Sequence, residues 1–265
     1  MKRSFTLIII SLVALFAAAE DLYIGSFYVT TSTEESQYGD GKNTWANRKP
    51  VICEMFRFEM PDVLGLQGAT SAQISTIKSG INTGLTSLLY YKVAGDILYN
   101  KTCELDSCNT VEGLPENCTC TWAKLRKGEK QFYVFNLCFT PDSAYISTNR
   151  LRSAITAINT ENLPCFVVGS LGAKEATQAY NRLTAKFYDS YTKAPIISAE
   201  YGTVNNFDLE NNHSTDRYDF VFTPKTGVSV KAYGQLQYGY FTSETDGYVR
   251  RLPSTHFPVM VKLTM

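Results

Sequence analysis

Apolar positions along the chain switch repeatedly between a period of about two and a period of about 3.6, which predicts strands and helices in alternation. Residues 23–30 read as a strand. Residues 45–60 read as a helix with Val51, Ile52, Met55 and Phe56 at helical spacing and Pro50 in its first turn. Residues 63–66 form a short apolar run of the kind found in buried strands, and Ser71 caps a helix whose Ile74, Ile77 and Ile81 share one face. Residues 86–91 and 97–102 are rich in β-branched and aromatic side chains and read as strands. Residues 121–125 and 131–138 flank Arg-Lys-Gly-Glu-Lys, a hairpin signal, and Leu151, Ala154, Ile155 and Ile158 stand at i, i+3, i+4 and i+7 of an amphipathic helix. Residues 164–169 are again a buried strand, and Tyr180, Leu183 and Phe187 mark another helix. The last third is mostly β, at 218–222, 228–233 and 259–263.

Strands mixed with helices throughout, with no repeat, low-complexity tract or linker, predict one α/β domain of layered sheets covered by helices. The length of 265 residues, with 44% hydrophobic and 13% aromatic side chains, supports a large core and excludes a disordered chain or a small disulfide scaffold. The 25 Lys and Arg balance 25 Asp and Glu, so no broad positive field draws the chain to nucleic acid.

The N-terminus predicts a compartment. Lys2 and Arg3 precede an apolar run over residues 7–16 that ends in Ala17, Ala18 and Ala19, the three-part pattern of a secretory signal, with cleavage expected after Ala19. The run is shorter than the roughly 20 residues a membrane-spanning helix needs. The mature domain, 20–265, then has 23 basic and 25 acidic side chains, a net charge of −2. Cysteine usage points the same way. Cys103, Cys108, Cys118 and Cys120 crowd into residues 103–120, which predicts a disulfide-stapled loop, with Cys138 and Cys165 as a further candidate pair and Cys53 left over. Four clustered cysteines allow three connectivities, and a zinc site is the weaker rival because the spacings are not those of paired CxxC knuckles. Asn100, Asn117 and Asn212 each open an N-glycosylation triplet.

A set of short motifs adds a family resemblance. In order, these are Ile-Gly-Ser-Phe-Tyr-Val at 24–29, Trp45 with Asn47-Arg48-Lys49-Pro50, Asp-Val-Leu-Gly-Leu-Gln at 62–67, Phe135-Asn136, Arg150 with Ser153-Ala154, Leu163-Pro164, Arg217-Tyr-Asp219 and Pro-Ser-Thr-His-Phe-Pro at 253–258. Their order and spacing over residues 21–265 resemble the endonuclease/exonuclease/phosphatase superfamily, and its secreted members in particular. The resemblance implies a four-layer α/β/β/α sandwich of two mixed sheets flanked by helices. It also implies a chemistry of phosphoester hydrolysis assisted by a divalent cation and a His supported by an Asp.

Set against that chemistry, the family's key positions are altered here. Tyr28 stands where the resemblance implies an Asn of the metal site, and Gly68 where it implies the chief metal-ligand Glu. Cys138 and Thr140 replace the phosphate-contacting His and the Asp of its segment. Ser170 and Gly172 replace the Asp and Asn that position nucleophile and phosphate, and Thr255 replaces the Asp before the final His. His256 survives, with Asp219 where the resemblance implies the Asp that orients the catalytic His, as remnants that read first as a buried structural hydrogen bond and second as a catalytic pair. Asp40, Asp142 and Glu175 have no paired spacing that would rebuild a cation site and read as solvated loop carboxylates, as His213 reads as a solvated loop residue. The expectation is a secreted, monomeric pseudoenzyme that needs no cofactor and binds an unknown protein or small phosphorylated ligand. The alternative is a divergent Mg²⁺- or Mn²⁺-dependent phosphoesterase working through His256 and Asp219. A third expectation is a structural component whose function lies in exposed loops such as 103–120. Neither strong nucleic-acid binding nor a membrane span is expected after signal removal.

Overall fold

The computed structural model describes residues 19–38, 41–84, 90–208, 214–245 and 247–265. In chain order the elements are β1 (Asp21–Tyr28), α1 (Ser32–Glu35), α2 (Trp45–Glu59), β2 (Val63–Gln67), α3 (Ser71–Asn82), β3 (Lys92–Ala94), β4 (Ile97–Tyr99), β5 (Cys103–Thr110), β6 (Thr119–Lys127) and β7 (Lys130–Cys138). They continue with α4 (Ala144–Ile158), β8 (Cys165–Ser170), α5 (Gln178–Thr184), β9 (Phe187–Asp189), β10 (Ile197–Ser198), β11 (Asp219–Pro224), β12 (Ser229–Gln235), β13 (Tyr240–Glu244), β14 (Gly247–Arg251) and β15 (Val259–Thr264).

Two mixed sheets face each other. One has strand order β10-β12-β15-β1-β2-β4-β3 and the other β5-β6-β7-β8-β11-β9, with β13 and β14 as a separate hairpin. Between them lies a core that includes Ile24, Val63, Leu125, Val134, Phe166, Val168 and Val261. The outer face of the first sheet packs Phe27, Leu64 and Leu66 against Ile52, Met55 and Phe56 of α2 and Ile77 and Ile81 of α3. The outer face of the second packs Phe135, Val167 and Phe220 against Leu151 and Ile155 of α4 and Leu183 of α5. Neighbours such as Val167 and Val168 thus serve different cores, the period-two consequence of the pleat. Strands buried on both faces read as unbroken apolar runs, which is why β2 and β8 stood out in the sequence. The result is the expected four-layer sandwich. Between α2 and α3 the packing is close enough that a Cβ at Gly80 would lie 2.3 Å from Cys53 Sγ.

Several local expectations need correction. Pro50 lies in the sixth position of α2, beyond the first turn, so the Ala46 carbonyl has no helical N–H to accept. The cap of α3 is Thr70, whose hydroxyl accepts the Gln73 N–H while Gln73 reaches back to the Thr70 N–H. Of the strand expected at 86–91, residues 86–89 lie outside the described residues, and Tyr90 and Tyr91 precede β3. Phe187 begins β9 and is not part of α5. The hairpin β13–β14 was not anticipated.

The cysteine-rich segment is the largest correction. Residues 103–120 are a strand, a turn and the start of the next strand, and all seven cysteines are free thiols. The ladder explains why. Cys103 stands opposite Lys127, Cys108 opposite Ala123 and Cys120 opposite Leu137, while Cys138 stands opposite Thr119 and Cys165 opposite Tyr133. Two cysteines close in sequence but out of register cannot meet without moving the backbone. Burial pushes the Cys103 thiol up to about 12 and raises that of Cys120 well above its ordinary range. We therefore expect a thiol reagent at pH 8 to modify Cys108, the one exposed cysteine, first, and all seven after unfolding without reductant. A count of five or fewer in the unfolded chain would restore the disulfide assignment.

The glycosylation triplets separate equally clearly. Asn100 is 2% exposed and donates its amide to the Pro61 carbonyl, a position with no room for a glycan. Asn117 is exposed in a turn with φ of 60°. Asn212 lies outside the described residues, as do His213, Asp40 and the N-terminal segment 1–18. Among the described residues no helix is long and apolar enough to cross a membrane.

Candidate functional site

Parallel pairing of β1 with β2, and of β7 with β8, brings the C-terminal ends of all four strands to one edge of the sandwich. Tyr28 lies beside Gln67 across the first pair, and Cys138 beside Ser170 across the second, with Asp219 at the start of β11 on the far side of Ser170. A cleft of about 980 Å³ opens there. Tyr28, Gly68, Cys138, Thr140, Ser170, Gly172 and His256 all line it. Six of the seven positions singled out as altered, and the retained histidine, are therefore neighbours in space. The seventh, Thr255, is buried behind the cleft, where its hydroxyl meets that of Thr30 at 2.7 Å. Thr30 also contacts Ser254, and Ser254 donates to the Tyr28 carbonyl, so Ser254 and Thr255 brace the end of β1.

The other motif residues hold the cleft's frame. Gln67 donates to Asn136 Oδ1 at 2.6 Å, and Asn136 donates to the Leu66 carbonyl, a buried bridge between the two sheets. Arg48 is fully buried and donates to the carbonyls of Thr30, Asn43 and Pro253 while pairing with Glu35. Arg217 holds Asp189 with two hydrogen bonds and pairs with Glu175 at 2.6 Å. Glu175 thus has a structural partner, and neither it nor Asp142 lines the cleft.

His256 Nδ1 lies 2.7 Å from Asp219 Oδ2, and its side chain keeps some exposure to the cleft. What the sequence did not convey is the position of Tyr28. Its ring lies over the His256 ring, with centroids 4.3 Å apart and planes 22° from parallel, and its hydroxyl donates to Glu34. Burial, reinforced by the Glu34 carboxylate, pushes the Tyr28 hydroxyl far above its ordinary range. The same ring covers Gly68. A Cβ at that position would meet Tyr28 Cζ at 2.9 Å, and Gly68 has φ of +63°, a left-handed conformation costly to residues with a side chain. Cys138, whose sulfur accepts the Gly68 N–H, is buried enough that its thiol is pushed up to about 12, so it faces the cleft as a neutral group.

Two further carboxyl groups belong to the cleft and were missed. Glu34 closes a capping box with Thr31, receiving the Thr31 N–H at 2.7 Å. The Thr-x-x-Glu spacing at 31–34 was the available signal. Asp96 sits in the turn between β3 and β4, whose main chain is fixed by the Leu66 N–H donating to the Asp96 carbonyl. Burial raises the Asp96 carboxyl from its ordinary range, against hydrogen bonds from Asn136 and Thr121. A lone acid in a hairpin turn carries no pattern that would have marked it.

This architecture has close counterparts among solved structures. A protein of the endonuclease/exonuclease/phosphatase family from Bacteroides thetaiotaomicron superposes with a TM-score of 0.80 over 93% of this chain and 98% of its own, at 23% identity. The chain has the endonuclease/exonuclease/phosphatase fold. The mannosyl-6-phosphatase of the same bacterium shares that fold with a TM-score of 0.78 and 22% identity, over 92% of this chain and 100% of the other. The human Nocturnin catalytic domain, solved with a bound sulfate anion, gives a TM-score of 0.64 at 14% identity, over 92% of this chain and 93% of its own. The sequence itself matches no family model and no curated protein. At these identities the likeness is one of fold, and what the cleft does has to be argued from its own residues.

Proposed function

We propose that this chain is a secreted binding protein built on a phosphoesterase fold, without hydrolytic activity of its own. The observation that carries the reading is the Tyr28 ring, which lies on His256 and fills the space beside Gly68. A hard divalent cation needs several oxygen donors converging on one point. Gly68 has no side chain, Ser170 is neutral, and Cys138 offers a protonated sulfur, a soft group with little affinity for Mg²⁺. Both oxygens of Glu34 are engaged, one by Tyr28 and one by the Thr31 N–H. Among the described residues no three His, Cys, Asp or Glu side chains are grouped to hold a metal. The residues present therefore do not fit the cation on which the family's chemistry depends. His256 and Asp219 alone supply a base whose tautomer is fixed, with one ring face covered by Tyr28 and nothing to neutralise a phosphate.

The test is direct. With bis(p-nitrophenyl) phosphate and p-nitrophenyl phosphate, in Mg²⁺ or Mn²⁺, the purified chain should release nitrophenolate no faster than buffer. A metal-dependent rate that disappears in His256→Ala would establish the phosphoesterase instead. Secretion rests on the signal pattern of residues 1–19, and fusion of that segment to a reporter tests it separately.

A further inference from the structure

We infer that the cleft takes an uncharged, polyhydroxylated ligand, with the chemistry of a neutral oligosaccharide, and discriminates against phosphorylated ones. The inference rests on the binding-protein reading above and names its ligand class.

The first argument is the charge of the walls. Among the described residues that line the cleft there is no Lys and no Arg, and the only basic side chain is His256. The cations whose chain positions border the cleft are committed elsewhere. Arg48 is buried against Glu35, Lys174 pairs with Asp216 at 2.8 Å, and Arg217 is held between Asp189 and Glu175. A phosphate entering the cleft would meet Glu34 with no lysine or arginine among the described lining residues to offset its charge, so an anion is disfavoured.

The same accounting excludes a cationic ligand. Glu34 has both oxygens engaged, Asp219 Oδ2 meets His256, and Asp96 Oδ1 and Asp219 Oδ1 are buried without a partner. Among the described carboxylates of the cleft, each oxygen is therefore either hydrogen-bonded or buried. What the cavity does present is neutral hydrogen-bonding groups, chiefly the side chains of Asn117, Thr119, Thr140 and Ser170, beside the half-buried Tyr218. Hydroxyls and amides around aromatic surface complement a pyranose, whose edge carries hydroxyls and whose faces carry C–H groups. A volume near 980 Å³ exceeds the need of a monosaccharide and suits a short oligomer.

The experiment is a binding panel of immobilised neutral gluco-, manno- and galacto-oligosaccharides, each beside its 6-phosphate, probed with the full purified chain. The expected result is saturable binding to a neutral member, with its 6-phosphate roughly tenfold weaker or worse. Thr119 is exposed at the start of β6, and Thr119→Lys should reverse that preference by introducing a cation at the rim. Equal or tighter binding of the phosphates by the unaltered chain, or binding to no member of the panel, overturns the inference. The two readings fail separately. Phosphoester turnover would defeat the binding-protein reading, whereas a preference for 6-phosphates without turnover would defeat only the ligand class.

Discussion

Replacing Arg48 by leucine is expected to cost the fold about 3–5 kcal/mol, the largest loss among single substitutions near the cleft. The guanidinium is fully buried and joins four separate segments: the Thr30 carbonyl after β1, the Asn43 carbonyl before α2, Glu35 of α1 and the Pro253 carbonyl before His256. Leucine preserves part of the volume but leaves the Asn43 and Pro253 carbonyls without their donor, while the Thr30 carbonyl keeps only Gln73 and the Glu35 carboxylate only the Trp45 N–H. Lysine should rescue little, because a point charge cannot reach three acceptors in the planar fork that arginine provides. A urea titration measures the effect as a fall in midpoint at unchanged slope. A shift corresponding to less than about 1 kcal/mol would mean that solvent or local rearrangement replaces the network.

The second large effect concerns positions 28 and 68 together. Gly68→Glu alone should destabilise the chain by about 2 kcal/mol or more, since φ of +63° penalises any side chain and Tyr28 obstructs the new Cβ at 2.9 Å. It should gain no affinity for Mn²⁺. The double variant Tyr28→Asn with Gly68→Glu removes the obstructing ring and places an amide and a carboxylate on adjacent strand ends. Calorimetry should then register Mn²⁺ binding in the roughly millimolar range where the unaltered chain gives none. Hydrolysis should remain absent, because Cys138, Thr140, Ser170 and Gly172 are unchanged and groups of one catalytic unit do not act singly. Equal Mn²⁺ binding by the unaltered chain would refute the claim that Tyr28 and Gly68 exclude the cation.

The sandwich was legible because its strands are buried on both faces, so β2 and β8 appear as short apolar runs, and because the faces of α3 and α4 keep a 3.6-residue period. The cysteine cluster misled for the opposite reason. Its density is a property of the chain, whereas pairing depends on register: β5 and β6 align so that Cys103 and Cys108 oppose Lys127 and Ala123, and β6 and β7 so that Cys120 opposes Leu137. At the site, motif order brought the right positions together, because parallel strands deliver their ends to one edge. Asp96 escaped notice because nothing local distinguishes a cleft acid from a solvated one, whereas the capping-box spacing of Glu34 marks a helix start and says nothing of the cleft. The stacking of Tyr28 on His256 joins residues 228 positions apart in sequence, a contact that only the assembled sheets create.

The pairing of β1 with β15 has a consequence for how the molecule is made. Asp21 lies opposite Thr264, and Ser26 opposite Val259, so the middle of the seven-stranded sheet joins the two extremes of the domain. On the ribosome β1 emerges early and waits for its neighbour while nearly every other residue is synthesised, with one hydrogen-bonding edge unpaired. Closing so large a loop makes late, slow folding the rule for such a chain.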